Sequence, residues 1–352
     1  MKIGVIGATG YTGLALLHYL SGRPETEVSF VSSRGQAKQP LTAVHPSLNG
    51  FLPYKDLVLE DPEALFAWPK DRLPEVIFLA VSHLVSMGIT PKLLGLGVKV
   101  IDLTGDFRLK DASLYPLWYK SPHLCPEFLP QAIYGLPELH RAEILKTRLV
   151  ANPGCYATSV ILALAPLLKH NLADLTQVII ADCKSGVSGA GKKALVDNLF
   201  SEVSENFRPY KVVGHQHIPE ILQELNLIAG VNVKLSFTPH LVPMNRGILS
   251  TIYVRLKKEP QIAELQELYR QHYQEDRFVR VLRVGTIPQT LDTRGTNYCD
   301  LALFYDEMGG VLKIFSSIDN LARGAATQAI VNLNLISGND EGLGIPLTAV
   351  RP

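Results

Sequence analysis

Lys2-Ile3-Gly4-Val5-Ile6-Gly7-Ala8-Thr9-Gly10-Tyr11-Thr12-Gly13 is the stretch that decides the first half of the fold. Residues 2–6 form an apolar run that reads as a buried strand. The glycine turn follows at once, and residues 14–21 carry the apolar spacing of an amphipathic helix. Strand, glycine turn and helix, in that order, are the context of a dinucleotide phosphate-binding turn. Glycines let the backbone approach a pyrophosphate, whose charge then sits on the helix N-terminus. The spacing is GxxGxxG rather than GxGxxG. Gly7, Thr9, Gly10, Tyr11, Thr12 and Gly13 are the candidate cofactor contacts; the alternative is an ordinary structural turn.

A second strand at residues 27–31 ends in Ser32-Ser33-Arg34. An NAD site places an acidic residue at this strand end for the ribose hydroxyl. An arginine with two hydroxyls suits a 2′-phosphate instead, so Ser33 and Arg34 point to NADP(H); an exposed loop arginine is the alternative. Residues 75–81 and 98–103 read as further buried strands, with a helix at 86–96 between them. The repeated βαβ pattern predicts an α/β domain with a parallel sheet. Asp102-Leu103-Thr104-Gly105-Asp106-Phe107-Arg108-Leu109 follows, where such sheets bind ligands. Arg108 is a candidate anion clamp, or else the partner of Asp102 or Asp106. Residues 111–140 read as a long ordered loop.

Ala151-Asn152-Pro153-Gly154-Cys155-Tyr156-Ala157-Thr158 comes next. The strand-like residues 148–151 lead in, Pro153 and Gly154 make a turn, and residues 158–170 read as an apolar helix that Pro166 kinks or ends. Cys155 then falls at a helix N-terminus, where free N–H groups and the dipole favour a thiolate. It is either a nucleophile or a small buried residue beneath a turn. Beyond it, strands are predicted at 177–182, 234–238, 248–257 and 300–307. A hairpin at Gly309-Gly310 leads into 311–317, and a helix lies at 265–273. This is an α+β arrangement with a mostly antiparallel sheet. An alanine-rich apolar helix at 321–336 is expected to return to the first domain. The domain reading is 1–154 with 320–352, and 155–319.

Composition agrees with two domains, since 352 residues exceed one ordinary core. A net charge of +1 gives no reason to expect nucleic acid or an anionic membrane. The four cysteines are scattered without a CxxC pair, which fits a reducing cytoplasm and argues against a zinc ribbon or a redox dithiol. No apolar run spans a bilayer, and no signal peptide is expected, because residues 2–7 already read as a strand.

Three further groups carry chemistry. Gly186-Val187-Ser188-Gly189-Ala190-Gly191-Lys192-Lys193, between an expected strand and an expected helix, imitates a P-loop. Lys193 stands where Mg²⁺ needs Ser or Thr, which argues against ATP chemistry. His215-Gln216-His217, in a loop-like stretch, offers a base for a thiolate enzyme; no spacing rule supports a metal site there. Arg246, after Pro239-His240-Leu241-Val242-Pro243-Met244, is a second anion-clamp candidate or a surface arginine.

Together these motifs resemble the N-acetyl-gamma-glutamyl-phosphate reductase family, which groups with aspartate-semialdehyde and glyceraldehyde-phosphate dehydrogenases. The resemblance spans nearly the whole chain. It rests on the Gly7–Gly13 turn, Asp106-Phe107-Arg108-Leu109, Tyr134-Gly135-Leu136-Pro137-Glu138-Leu139, Asn152-Pro153-Gly154-Cys155-Tyr156, the glycine-serine loop from Ser185 to Gly191, His215-Gln216-His217-Ile218-Pro219-Glu220 and Pro239–Met244. It implies a Rossmann NADP domain, an α+β substrate and dimerisation domain, and a homodimer or homotetramer in the cytoplasm. The implied reaction is NADPH-dependent reduction of an acyl phosphate through a cysteine thioester. Cys155 would be the nucleophile and His217 the acid/base. Arg108, Asn152, His215 and Arg246 would bind substrate. Ser185, Gly186 and Asn320 would face the cofactor, and no metal is implied. Arg323 stands where the family usually has lysine, and Gln216 where arginine is common. A paralogous aminoadipyl-phosphate reductase shares the motifs, and an NADP-binding regulatory protein is the non-enzyme alternative.

Overall fold

The computed structural model describes residues 1–351 in two compact units: Met1–Pro153 with Ala325–Ile345, and Gly154–Gly324 with the residues from Pro346 on. Residues 320–324 and those from 346 lie with the second unit, not the first. Asp319 explains the former: its carboxylate accepts from the N–H groups of Gly295, Leu321 and Ala322. The latter are tied by Val350 N–H to the Arg294 carbonyl and by an Arg351–Asp292 ion pair.

The first unit is built on a six-stranded parallel sheet. Its strands are β1 (Lys2–Ile6), β2 (Glu27–Ser32), β3 (Val76–Leu79), β4 (Lys99–Asp102), β5 (Ile133–Tyr134) and β6 (Leu149–Ala151), in the order β2-β1-β3-β4-β6-β5. The order reverses at β1, so β1 and β3 flank the switch point at which such sheets bind ligands. All four residues of β3 are buried, as expected where both faces of a parallel sheet are covered. Helices α1 (Tyr11–Leu20) and α2 (Ser86–Gly95) follow β1 and β3. Ile6, Phe30, Ile77, Leu79, Leu93, Val100 and Phe107 lie at the centre of the core.

The stretch expected as a long loop is instead broken up by secondary structure. It holds a single turn at Tyr115–Trp118, edge strand β5 and helix α3 (Pro137–Ile144), with Pro137 in its first turn. The C-terminal helix does return, as Thr327–Ile336, entered through a wider π turn at Ala322–Ala326. Its buried face is less apolar than its composition suggests. Gln328 and Asn332 donate to the Gly135 carbonyl at 2.8 and 2.9 Å, and Asn334 to the Leu343 carbonyl at 3.0 Å.

The second unit carries a seven-stranded sheet. Its strands are β7 (Ile179–Gly186), β8 (Arg208–Pro209), β9 (Leu235–Val242), β10 (Ile248–Val254), β11 (Val279–Val281), β12 (Cys299–Asp306) and β13 (Val311–Ile318), ordered β11-β12-β13-β10-β7-β9-β8. The β7–β9 and β11–β12 pairs are parallel and the other four antiparallel. Three helices matter: α4 (Cys155–Lys169), α5 (His217–Ala229) and α6 (Ile262–His272). Residues 156–168 of α4 are all buried, because α5, α6 and the sheet pack around it.

Helix α4 starts earlier than predicted, at Cys155 itself, and runs through Pro166. Proline removes the N–H that would bond the Leu162 carbonyl and crowds that turn. The Tyr273 hydroxyl supplies the missing donor, to the Leu162 carbonyl at 2.5 Å, and the Tyr269 hydroxyl donates to the next carbonyl, that of Ala163, at 2.8 Å. The strand expected at 177–182 extends to Gly186, which puts Ser185 and Gly186 at a strand end. His217 is the first residue of α5 rather than a loop residue. Finally, a short 3₁₀ turn, Val187–Ala190, follows β7, and Lys192 and Lys193 stand in exposed coil. Only a 3₁₀ turn, Val196–Asn198, and a single α-helical turn, Phe200–Val203, follow that loop, and neither starts at its lysines, so the P-loop likeness is one of sequence only.

Candidate active site

In the first unit, Gly7 leaves β1 with φ +90°, a backbone region open chiefly to glycine. Its N–H and that of Ala8 both donate to the Ser32 carbonyl at 3.1 Å, which fixes the turn against the end of β2. A Cβ on Gly13 would come within 2.4 Å of the Gly7 carbonyl oxygen, so this glycine allows α1 to pack on the turn. Gly10 is the N-cap of α1. No side chain caps that helix and no acidic residue stands in its first turn. The helix N-terminus therefore presents N–H groups to an anion. Thr9 and Ser33 share a hydroxyl hydrogen bond of 3.1 Å, joining the two predicted cofactor segments. Arg34 is exposed at the carboxyl end of β2. His45, not anticipated from the sequence, braces the turn through Nε2 and the Ala8 carbonyl at 2.9 Å.

Arg108 and Asn152 also lie in the first unit, and both are engaged with it. Arg108 is 4% exposed and donates to the carbonyls of Asn152 (2.8 Å) and Leu103 (3.0 Å). The Asn152 amide donates to the Ala325 carbonyl at 3.2 Å and accepts from Asn332 at 3.0 Å. Beside them Asp106 caps α2, accepting from the N–H groups of Leu84 and Ser86. Asp102 is fully buried. Desolvation, and then Asp106, push its carboxyl up to about 7.

The second unit holds Cys155, His215, His217 and Arg246. Cys155 is the first residue of α4 and half-buried; Cys125, Cys183 and Cys299 are buried. A Cβ on Gly324 would lie 2.5 Å from that of Cys155, so only glycine lets the chain pass so close to the thiol. Glu220, fully buried in the first turn of α5, accepts the Gly154 N–H at 2.7 Å. The starts of the two helices that carry Cys155 and His217 are thus hydrogen-bonded together.

The two histidines differ. The His215 ring is buried, 4.7 Å from that of His217 and packed near Tyr156, Tyr210 and Phe237. Its Nδ1 accepts the backbone N–H of His217 at 3.1 Å, which requires that nitrogen to be unprotonated. Burial, then the charges of His217 and Lys211, push its imidazole down to about 2. His217 is half-buried, with its ring 5.9 Å from that of Tyr156. Burial pushes the Tyr156 and Tyr210 hydroxyls upward, so both stay neutral.

Arg246 is held by buried Asp319 through contacts of 3.0–3.2 Å. The Asp319 carbonyl accepts the Gly324 N–H at 2.9 Å, so one residue holds both the Arg246 guanidinium and the glycine that packs against Cys155. Asn320 accepts the Gly247 N–H at 2.7 Å and donates to the Ser188 hydroxyl at 2.9 Å. The Gly186 N–H donates to the Gly247 carbonyl at 2.9 Å, and the Ser185 hydroxyl to the Gly186 carbonyl at 3.0 Å. This network braces the loop that carries Arg246. Among the described residues no three His, Cys, Asp or Glu side chains gather to hold a metal ion, and no helix is long and apolar enough to cross a membrane.

Residues 2–147 match the family model of the semialdehyde dehydrogenase NAD binding domain, and residues 155–320 that of the semialdehyde dehydrogenase dimerisation domain. The chain is 48% identical to the N-acetyl-gamma-glutamyl-phosphate reductase of Geobacter sp. (strain M21) and 46% identical to that of Herminiimonas arsenicoxydans, each over 100% of both chains. Among solved structures it resembles aspartate semialdehyde dehydrogenase II from Vibrio cholerae (TM-score 0.71, 17% identity, 96% of this chain and 98% of that one). It also resembles the enzyme from Candida albicans solved with NADP (TM-score 0.70, 16% identity, 96% and 98%). At such identities these structures speak to the fold.

Proposed function

The chain belongs to the N-acetyl-gamma-glutamyl-phosphate reductase family of semialdehyde dehydrogenases, and from that membership we propose its reaction. It is an NADPH-dependent oxidoreductase of arginine biosynthesis. It reduces N-acetyl-glutamyl phosphate to N-acetyl-glutamate semialdehyde and releases inorganic phosphate. The observation that carries the site reading is the half-buried Cys155 at the start of α4, tied by Glu220 to the start of the helix that bears His217.

The Cys155 thiolate, favoured by the positive end of α4, attacks the acyl carbonyl. The carbon–oxygen bond to phosphate breaks, inorganic phosphate departs, and a thioester remains on sulfur. NADPH, when bound, supplies the hydride. His217 gives a proton to the oxygen of the resulting thiohemiacetal and takes it back as the carbon–sulfur bond breaks, which frees the aldehyde and restores the thiolate. Arg246, aimed by Asp319, neutralises an anionic group of the substrate. Arg108 and Asn152 have their polar groups engaged within the first unit, and their part is to hold the turn that leads to Cys155. Ser185, Gly186 and Asn320 brace the Arg246 loop. The Gly7–Gly13 turn, Ser33 and Arg34 hold NADP(H). The dimerisation domain supports a homodimer or homotetramer, and the cytoplasm is the compartment this chemistry fits.

The test is the reverse reaction. Supplied with N-acetyl-glutamate semialdehyde, phosphate and NADP⁺, the protein is expected to produce NADPH only when phosphate is present. The homologue one carbon longer should react more slowly. No NADPH, or a preference for the longer aldehyde, would overturn the substrate assignment.

Cofactor choice gives a second expected result. Arg34→Ala should weaken NADPH binding by about 1.5–3 kcal/mol, roughly 10- to 150-fold, the contribution of a charge-assisted phosphate contact. NADH binding should barely move, because NADH lacks the 2′-phosphate. Titration of cofactor fluorescence measures both, and equal losses would remove Arg34 from the phosphate site.

A further inference from the structure

We propose that Ser159 is a positioning residue: bound to a row of buried hydroxyls on the sheet, it fixes the register of α4 and so the aim of the Cys155 thiol. The proposal rests on the role given to Cys155 above. Ser159 stands one turn beyond Cys155, on the same stripe of α4. It is 0% exposed, so it has no path to substrate and acts only through what it holds. Its Oγ lies 2.8 Å from that of Ser250 and donates to that of Ser316 at 2.9 Å.

The strands bring these partners together by their register. Ser250 on β10 is paired directly opposite Cys183 on β7 and Ser316 on β13. The three small side chains therefore form a row across adjacent strands, on one face. All three are fully buried, and the Cys299 Sγ of β12 lies 3.4 Å from the Ser316 hydroxyl. Beyond Ser159, the buried residues of α4 from Val160 to Leu168 are all apolar. Apolar contact is non-directional and lets such a helix slide or turn by a fraction of an ångström. Hydrogen bonds fix direction as well as distance. Hydroxyls that bond chiefly one another add little net stability over an apolar row of the same size. What they supply is a defined register, one turn from the nucleophile. A shift of about 1 Å there lowers rates by around 10²-fold.

Ser159→Ala and the triple variant Ser159→Ala/Ser250→Ala/Ser316→Ala are compared with the wild-type enzyme in three measurements. These are kcat and KM in the reverse assay, the melting temperature, and the position of the Cys155 Sγ in crystal structures superposed on β7, β10, β12 and β13. In Ser159→Ala, kcat is expected to fall roughly 10- to 30-fold with KM within about threefold. The Sγ should move by about 0.5 Å or more. The triple variant leaves no hydroxyl of the row unpartnered, so its melting temperature should return to within about 3 °C of wild type. Its kcat should stay at least about tenfold low. That split between stability and turnover is what positioning produces and a merely structural role does not. An unchanged kcat in folded Ser159→Ala overturns the proposal. So does a loss confined to KM, an unmoved Sγ, or a kcat that tracks the melting temperature in the triple variant, both low or both restored. If Ser159→Ala alone fails to fold, the triple variant decides by the same criteria; if neither folds, the row serves the fold and the proposal is overturned. Should the wild-type enzyme show no reductase activity, the reaction assignment fails, while the Sγ position still reports whether Ser159 aims Cys155.

Discussion

Cys155→Ser is expected to remove reductase activity, lowering kcat on the order of 10⁴–10⁶-fold, the range reached when a covalent nucleophile is lost. The argument starts from ionisation. The helix dipole at the start of α4 favours the thiolate form of a cysteine; a serine hydroxyl in the same place is a far weaker nucleophile. No other thiol can take over. Burial holds Cys125 and Cys183 up to about 12, and Cys299 is fully enclosed. The serine side chain is slightly smaller, so the tight approach of Gly324 tolerates it. NADPH binding, which depends on the Gly7–Gly13 turn and Arg34, should be unchanged. Single-turnover assays and cofactor titration measure the two effects separately. Turnover near that of the wild type would end the thioester mechanism; a parallel loss of cofactor binding would point to damage of the fold instead.

The sequence made the first unit legible because its signals are local. An apolar strand, a glycine turn and a helix report their own conformation, and a strand-end arginine reports its own chemistry. Legibility failed where one segment's shape depends on a distant one. Pro166 read as a kink or an end of its helix because the Tyr273 hydroxyl, about a hundred residues away, which replaces the missing donor, leaves no local mark. His217 read as a loop residue because Pro219 follows it, although proline is tolerated in a first helical turn. At the site, residue types were more legible than their duties. The residue type of Arg108 suggests an anion clamp and the resemblance gives Asn152 to the substrate, whereas both are engaged with neighbouring backbone and side chains. Asp319 and Gly324 carry no such sign in the sequence. Their part is to hold and to leave room, and neither leaves a mark in spacing or charge.

His217→Asn is expected to lower kcat by roughly 10²–10⁴-fold, the usual effect of losing a general acid or base, with a smaller change in KM. His215→Asn should stay within about tenfold of wild type. The difference follows from protonation. Burial and neighbouring charge push His215 down to about 2, so at neutral pH it stays a neutral imidazole and has no imidazolium proton to give. Its Nδ1 is already occupied as acceptor for the His217 N–H. An asparagine amide oxygen can accept that same N–H, so the start of α5 survives the change. His215→Phe keeps the ring packing against Tyr156 and Phe237 but loses the acceptor, and should fall between the two asparagine variants. The pH profile separates the roles further. The limb assigned to the acid/base should vanish in His217→Asn and persist in both His215 variants, because His215 stays neutral across the working range and cannot shape it. Melting temperatures taken alongside distinguish lost chemistry from lost folding. If the limb vanishes with His215 and persists with His217, the two assignments must be exchanged.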